Sequence, residues 1–184
     1  LGQAPARQAA IYSGLPESVE CLTINKMCGS GLKAIMLGQE AILSGNADIV
    51  IAGGMENMSL SPHLLQNSRT GSKMGNSKLV DSMINDGLWD AYNDKHMGSC
   101  GEMCAEKYSF SRQEQDLFAK QSYLKSQEAT NNNIFKSEIT PVEVKTRKGV
   151  SIIDKDEEPF RVDFEKIEKL RTVFKKEGTI TAAN

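Results

Sequence analysis

The stretch Leu22-Thr23-Ile24-Asn25-Lys26-Met27-Cys28-Gly29-Ser30-Gly31-Leu32-Lys33-Ala34-Ile35-Met36 decides how this 184-residue chain is read. Leu22-Thr23-Ile24 is short, apolar and β-branched, as strands are. Gly31 to Ser44 then places Leu32, Ile35, Met36, Ala41 and Leu43 among small residues, the pattern of a helix buried on most sides. Gly45 can take the left-handed conformation that ends such a helix. Ile49-Val50-Ile51-Ala52 is a continuous apolar run, expected of a strand covered on both faces. Strand, buried helix and strand make a βαβ unit with a right-handed crossover, so the expected class is α/β.

Between the first strand and the helix lies a turn of small residues around Cys28. A cysteine at a helix N-terminus faces unpaired backbone N–H groups and the positive end of the helix dipole, and both favour thiolate over thiol. Cys28 is therefore the best candidate nucleophile. Gly29 and Gly31 keep side chains out of the approach, so a substrate carbonyl could reach the sulfur and rest its oxygen on a backbone N–H. The same residues also read as a small, inert cysteine buried in a tight turn.

Outward from that turn, Ala4 to Tyr12 favours helix, with Gly14 and Pro16 as its stop. Residues 58–95 are rich in Ser, Asn, Gly and Met without a sustained period and read as long surface loops, which are uncommon unless they bind something. Met97 to Tyr108 predicts a helix. Ser111-Arg112-Gln113-Glu114 is a capping-box signature, opening another helix that ends near Asn131-Asn132-Asn133. Ile139 to Lys145 and Val150 to Ile153 read as strands joined by a basic turn at Lys145–Gly149.

Charge is unevenly spread. Residues 1–60 hold 3 Lys/Arg and 5 Asp/Glu, whereas residues 101–184 hold 15 of each, so the first part reads as core and the last as solvated surface. A net charge of -2 gives no global attraction to nucleic acid or anionic lipid, and no apolar run approaches a membrane span. With 39% hydrophobic residues and 4 Cys the chain is neither disordered nor a disulfide scaffold. Leu1-Gly2-Gln3-Ala4-Pro5 shows no initiator Met and no targeting segment, and the other end breaks off in a developing β-branched run, so a fragment is expected.

Asn25 to Ala34 resembles the nucleophile segment of the thiolase family. Gly2-Gln3-Ala4-Pro5-Ala6-Arg7-Gln8-Ala9 resembles the family's segment ahead of it, and Ala52-Gly53-Gly54-Met55-Glu56-Asn57-Met58-Ser59 its next glycine-rich turn. His96-Met97-Gly98-Ser99-Cys100, Arg161-Val162-Asp163-Phe164 and Gly178–Asn184 look like the family's coenzyme A loop region, the last two most similar to the mitochondrial acetoacetyl-CoA type. Several motifs in register cover essentially the whole chain.

The resemblance implies a layered thiolase-like α/β fold: part of the N-terminal α/β domain with the nucleophile at 1–57, and a loop domain for coenzyme and oligomer contacts at 58–184. It implies a reversible Claisen condensation of two acetyl-CoA to acetoacetyl-CoA and CoA through an acyl-Cys28 intermediate. A longer-chain 3-ketoacyl-CoA thiolase is the alternative. His96 and Met97 would line the pantetheine tunnel, Tyr123 would contact CoA, and Arg161, Val162, Asp163 and Lys166 would embrace the adenine nucleotide. Tyr123 with the carbonyls of Ala182 and Ala183 would hold potassium. The resemblance implies no zinc, no nucleotide redox cofactor, a homodimer or homotetramer, and the mitochondrial matrix, with the cytosol as alternative.

The departures are Gly101 before Glu102, where an Ala-Glu pair is usual, and Asn57 where a Ser is usual. The family's Asn-Glu-Ala-Phe, Gly-His-Pro and second Cys-x-Gly motifs are not matched within the 184 residues, so these residues alone are expected to be inactive. Rival readings are a metal or redox module on His96, Cys100 and Cys104, at i, i+4 and i+8, and a hydrolase pairing Cys28 with His96 or His63. The first fails on distance, since i and i+8 are about 12 Å apart along a helix. A third rival is a non-catalytic domain on the thiolase fold, binding CoA or lipid.

Overall fold

Residues seven apart share a face of a helix, and Gly31 and Gly38 are so placed on α2 (Ser30–Leu43). In the computed structural model, which describes residues 2–184, that bare face receives the chain that follows. A Cβ at Gly38 would stand 3.0 Å from Val50 Cγ1 and 3.8 Å from Ala52 Cβ, and one at Gly31 would stand 3.6 Å from the Gly54 nitrogen. The returning segment thus runs antiparallel to α2, as the second arm of a βαβ unit does. Gly45, at φ 73°, makes the reversal.

Two compact units divide the chain, Leu1–Trp89 and Asp90–Asn184. In the first, α1 (Pro5–Tyr12) has the proline at its start that helices tolerate. Arg7 ties the chain after α1 back onto it, donating to the carbonyls of Val19 and Glu17 at 2.5 and 2.7 Å.

Two expectations for this unit are corrected. Neither Leu22–Ile24 nor Ile49–Ala52 forms a ladder with another strand among the described residues. Ile49 and Ile51 are 86% and 82% exposed while Val50, facing α2, is 37% exposed. The run alternates, one side on a helix and one side open. An apolar run reports that a strand is to be covered, but the neighbours that supply its hydrogen bonds and second face are non-local. For the same reason α2 is not buried on most sides: only Gly38 is buried, and Leu32, Ile35 and Leu43 are exposed.

The 58–95 region also differs from a featureless loop. His63–Leu65 (β1) pairs antiparallel with Leu79–Asp81 (β2), Leu64 opposite Val80. Ser82 closes that hairpin, its Oγ donating to the Pro62 carbonyl at 2.6 Å. A single π-helical turn follows at Met83–Leu88, then the short strands β3 (Trp89–Asp90) and β4 (Lys95–His96). Strands this short carry too little period to be seen in sequence.

The second unit holds α3 (Met97–Tyr108) and α4 (Arg112–Asn131) where the sequence predicts helices. The capping box at α4 is formed: the Glu114 N–H donates to Ser111 Oγ at 3.2 Å, and the Ser111 N–H to Glu114 Oε2 at 2.8 Å. These bonds hold the Glu114 carboxyl below its ordinary value, the Ser111 hydroxyl contributing most. Val142–Thr146 (β5) and Gly149–Ile153 (β6) form an antiparallel hairpin about the basic turn, Val144 opposite Ser151. The four-residue α5 (Glu158–Arg161) comes next.

Among the described residues the buried apolar side chains are Ala105, Ile167 and Pro159, whereas Ser82, Glu102, Asp116 and Thr181 are buried polar groups. The second unit is therefore held in good part by polar contacts. Glu102 on α3 accepts from the Thr179 N–H at 3.0 and 2.8 Å, the Thr179 hydroxyl at 3.1 Å and the Ile180 N–H at 2.9 Å. No described helix is long and apolar enough to cross a membrane.

Candidate functional site

The turn that presents Cys28 is built by short side chains. Asn25 Oδ1 accepts from the Met27 N–H at 2.9 Å, an Asx-type turn. Met27 then takes φ 51°, a left-handed conformation that a long side chain adopts at a cost. Ser30 holds it there: its Oγ accepts from the Lys26 N–H at 3.0 Å and donates to the Met27 carbonyl at 2.7 Å. Gly29 and Ser30 N–H groups close onto the Lys26 and Met27 carbonyls, each at 3.1 Å.

Cys28 therefore sits at the crest of a doubly pinned turn, two residues before the first residue of α2, with its side chain exposed. The buried, inert cysteine of the alternative reading is not what this unit shows. Gly29 has ordinary clearance, a Cβ there lying 3.5 Å from the Lys26 carbonyl oxygen, while the bareness of Gly31 admits the backbone of Gly53-Gly54. Asn25 and Ser30 were legible only as members of a motif; their roles in the turn are Asx and hydroxyl bonds that sequence patterns do signal.

The second unit carries the other candidate residues. His96 caps α3, its Nδ1 accepting from the Gly98 N–H at 3.0 Å, and its ring stacks on Phe174 with centroids 4.8 Å apart. Met97 beside it is exposed. Tyr123, on α4, meets the edge of Phe164 at 6.4 Å. Arg161 pairs with Glu157 and Glu158 at 2.5 and 3.0 Å, and Lys166 with Asp163 at 2.7 Å. That last contact lowers the Asp163 carboxyl and raises the Lys166 amine from their ordinary values. All these pairs are exposed, so a phosphorylated ligand can compete for the cations at small cost. Val162 is half-buried between them.

Tyr123 and Ala183 come together in one groove of about 420 Å³. Its floor is the α4 side of Phe118, Ala119, Ser122, Tyr123 and Ser126; one wall is Asp156, Glu158 and Pro159, the other Ala183 and Asn184. Ala182 is exposed beside that wall. The oxygens gathered here, phenol, carboxylates, amide and backbone, are the donors a hard cation takes. Among the described residues no three His, Cys, Asp or Glu side chains are grouped to hold a metal ion.

Pattern reading missed Asp116, Gln127 and Phe174. The first two share a face of α4 with Tyr123, at i, i+7 and i+11, a spacing present in the sequence. Phe174 stacks on His96 across 78 residues of chain and had no local signal.

Residues 1–184 match the family described as thiolase, N-terminal domain. An acetyl-CoA acetyltransferase of Pseudomonas aeruginosa is 52% identical over all of this chain and 47% of its own length. Acetyl-CoA acetyltransferase 1 of Arabidopsis thaliana is 51% identical over all of this chain and 45% of its own length. A Staphylococcus aureus protein named "Probable acetyl-CoA acyltransferase" is 53% identical, covering 47% of that protein. The chain thus spans about half the length of the curated relatives it matches. With a match that runs from residue 1 to residue 184 and takes in the Cys28 turn, the chain belongs to the thiolase family, as an α/β N-terminal domain of that fold.

Proposed function

We propose that the protein containing this chain is an acetyl-CoA C-acetyltransferase working through Cys28. The sulfur attacks the thioester carbon of acetyl-CoA; a new C–S bond forms, the old one breaks, and CoA leaves as its thiolate and takes up a proton. A second acetyl-CoA, having lost an α-proton to a base, attacks acetyl-Cys28 through carbon. Acetoacetyl-CoA departs and the Cys28 sulfur is freed. In reverse, CoA cleaves acetoacetyl-CoA. Splitting the transfer in two is what a covalent nucleophile achieves.

The single observation that carries the reading is the pinned, exposed Cys28 at the start of a glycine-faced helix, in a chain of the thiolase family. Gly29 and Gly31 keep the approach to the sulfur bare; the Gly29 N–H is already given to the Lys26 carbonyl, so it would have to exchange that bond to take the substrate's carbonyl oxygen. The Tyr123–Ala183 groove is the candidate seat of the coenzyme, with His96, Met97, Arg161, Val162, Asp163 and Lys166 toward its pantetheine and nucleotide parts. Tyr123 and the Ala182 and Ala183 carbonyls would hold potassium, which when bound would steady that wall. Residues 1–57 are assigned to the nucleophile domain and 58–184 to the loop domain.

The base and the second cysteine of the resemblance are not matched within these residues, so the 184-residue chain alone is proposed to be inactive and the intact dimer or tetramer to be the catalyst. The mitochondrial matrix is proposed as its compartment. A longer-chain 3-ketoacyl-CoA substrate is the second reading, favoured by the broader acyltransferase name of the S. aureus relative. The test is label exchange between acetoacetyl-CoA and CoA by the full-length protein. Exchange should vanish in Cys28→Ala; exchange at an undiminished rate refutes the proposal.

A further inference from the structure

Both walls of the groove are gripped from the helix that forms its floor. Asp116, 6% exposed, uses both carboxylate oxygens. Oδ1 accepts from Asn184 Nδ2 at 2.7 Å, and Oδ2 from Arg112 Nε at 2.8 Å. Asn184 in turn closes the final turn: its Oδ1 accepts from the Thr181 N–H at 2.7 Å, and its Nδ2 also donates to the Thr179 carbonyl at 3.1 Å. Arg112 carries the grip further, donating to the carbonyls of Ile167 and Leu170 at 2.8 and 3.1 Å. Eleven residues after Asp116, Gln127 Nε2 donates to the Pro159 carbonyl of the opposite wall at 2.6 Å.

Asp116 does not line the groove, and its two oxygens are engaged by protein partners. A buried carboxylate with both oxygens satisfied is a fixed strut, because losing a partner would leave a charge uncompensated. It fixes Asn184 and Ala183 relative to Tyr123, seven residues along the same face of α4.

We infer that Asp116 is a positioning residue for the coenzyme: through Asn184 it sets the distance of the Ala183 wall from Tyr123, and so the fit of an acyl-pantetheine chain between them. The inference rests on the groove being the coenzyme seat, as proposed above.

The experiment measures steady-state kinetics of the full-length protein with acetyl-CoA. Asp116→Asn keeps the shape but puts an amide donor against either Arg112 or Asn184. KM should rise about five- to tenfold, the worth of one hydrogen bond, with kcat retained. Asn184→Ala removes the same bond from the other side, together with the bonds to Thr181 and Thr179 and part of the wall itself, and should raise KM at least as far, which covers a fold defect in the first variant. Ser122→Trp, which fills the groove, tests the seat itself and should raise KM further. A rise with Ser122→Trp but none with either Asp116→Asn or Asn184→Ala overturns the inference and leaves the groove reading standing. No rise with Ser122→Trp overturns the groove reading and the inference with it. A fall in kcat at unchanged KM in folded Asp116→Asn also overturns the inference.

Discussion

Glu102 and Thr179 are joined by three hydrogen bonds across 77 residues of chain, two from the Thr179 N–H and one from its hydroxyl. Burial alone pushes the Glu102 carboxyl up, but the Ile180 and Thr179 N–H groups, the Thr179 hydroxyl and Lys175 together bring it below its ordinary value of 4.5. A carboxyl depressed on folding stabilises the fold fully above its unfolded value. That contribution is lost as pH falls below 4.5 through the folded value. Glu102→Gln should destabilise the second unit by about 2 kcal/mol at neutral pH, since bonds to a charged acceptor are the stronger kind. It should also flatten the loss of stability on acidification, as read from urea midpoints at pH 7 and below 4.5. A variant with the wild-type acid limb contradicts this account.

The carboxylate of Glu102 leaves no room at Gly178, where an added Cβ would overlap its oxygens. Gly98 is under the same constraint from the Phe174 ring that stacks on His96. Gly178→Ala and Gly98→Ala should each cost about 2–3 kcal/mol through forced repacking, and Gly98→Ala should raise KM for acetyl-CoA by moving Phe174 off His96. Thermal denaturation with parallel kinetics checks both. Unchanged midpoints would show that the ring and the carboxylate yield freely.

Gly101 behaves in the opposite way. It lies inside α3, and a Cβ there would meet Ile180 at 3.6 Å, an ordinary contact. Gly101→Ala should stabilise the protein by about 0.5–1 kcal/mol, from the helix preference of alanine and the entropy glycine loses. A destabilised variant would mean that the α3–Ile180 contact is tighter than this geometry shows.

The elements legible in the sequence were those whose signals are local. Ser111 and Glu114 announce α4 three residues apart, and Gly45 marks the end of α2 with the positive φ it adopts. Ile49–Ala52 reads as fully covered in sequence, because ladder partners and a second layer are not encoded in the run itself; what the run meets here is one helix face through Gly38. The candidate site divides in the same way. Cys28 and its flanking glycines stand together in sequence. The Asp116–Asn184 bond spans 68 residues, and no periodicity points to it.

Ser30 offers a test of the nucleophile turn apart from the sulfur itself. Its hydroxyl makes both bonds that hold Met27 left-handed. Ser30→Ala should cost about 1 kcal/mol of stability and slow acylation of Cys28 with KM little changed, whereas Ser30→Thr, which keeps the hydroxyl, should recover part of the rate. Rapid-quench acylation kinetics separate these. Equal rates in all three proteins would remove the turn from the account.

The most direct measurement is mass spectrometry of the full-length protein quenched in acid after brief exposure to acetyl-CoA. An acetyl group on the peptide carrying Cys28, absent from those carrying Cys21, Cys100 and Cys104 and discharged by added CoA, is the predicted result. An unmodified Cys28 in a preparation that is turning substrate over would contradict the central claim.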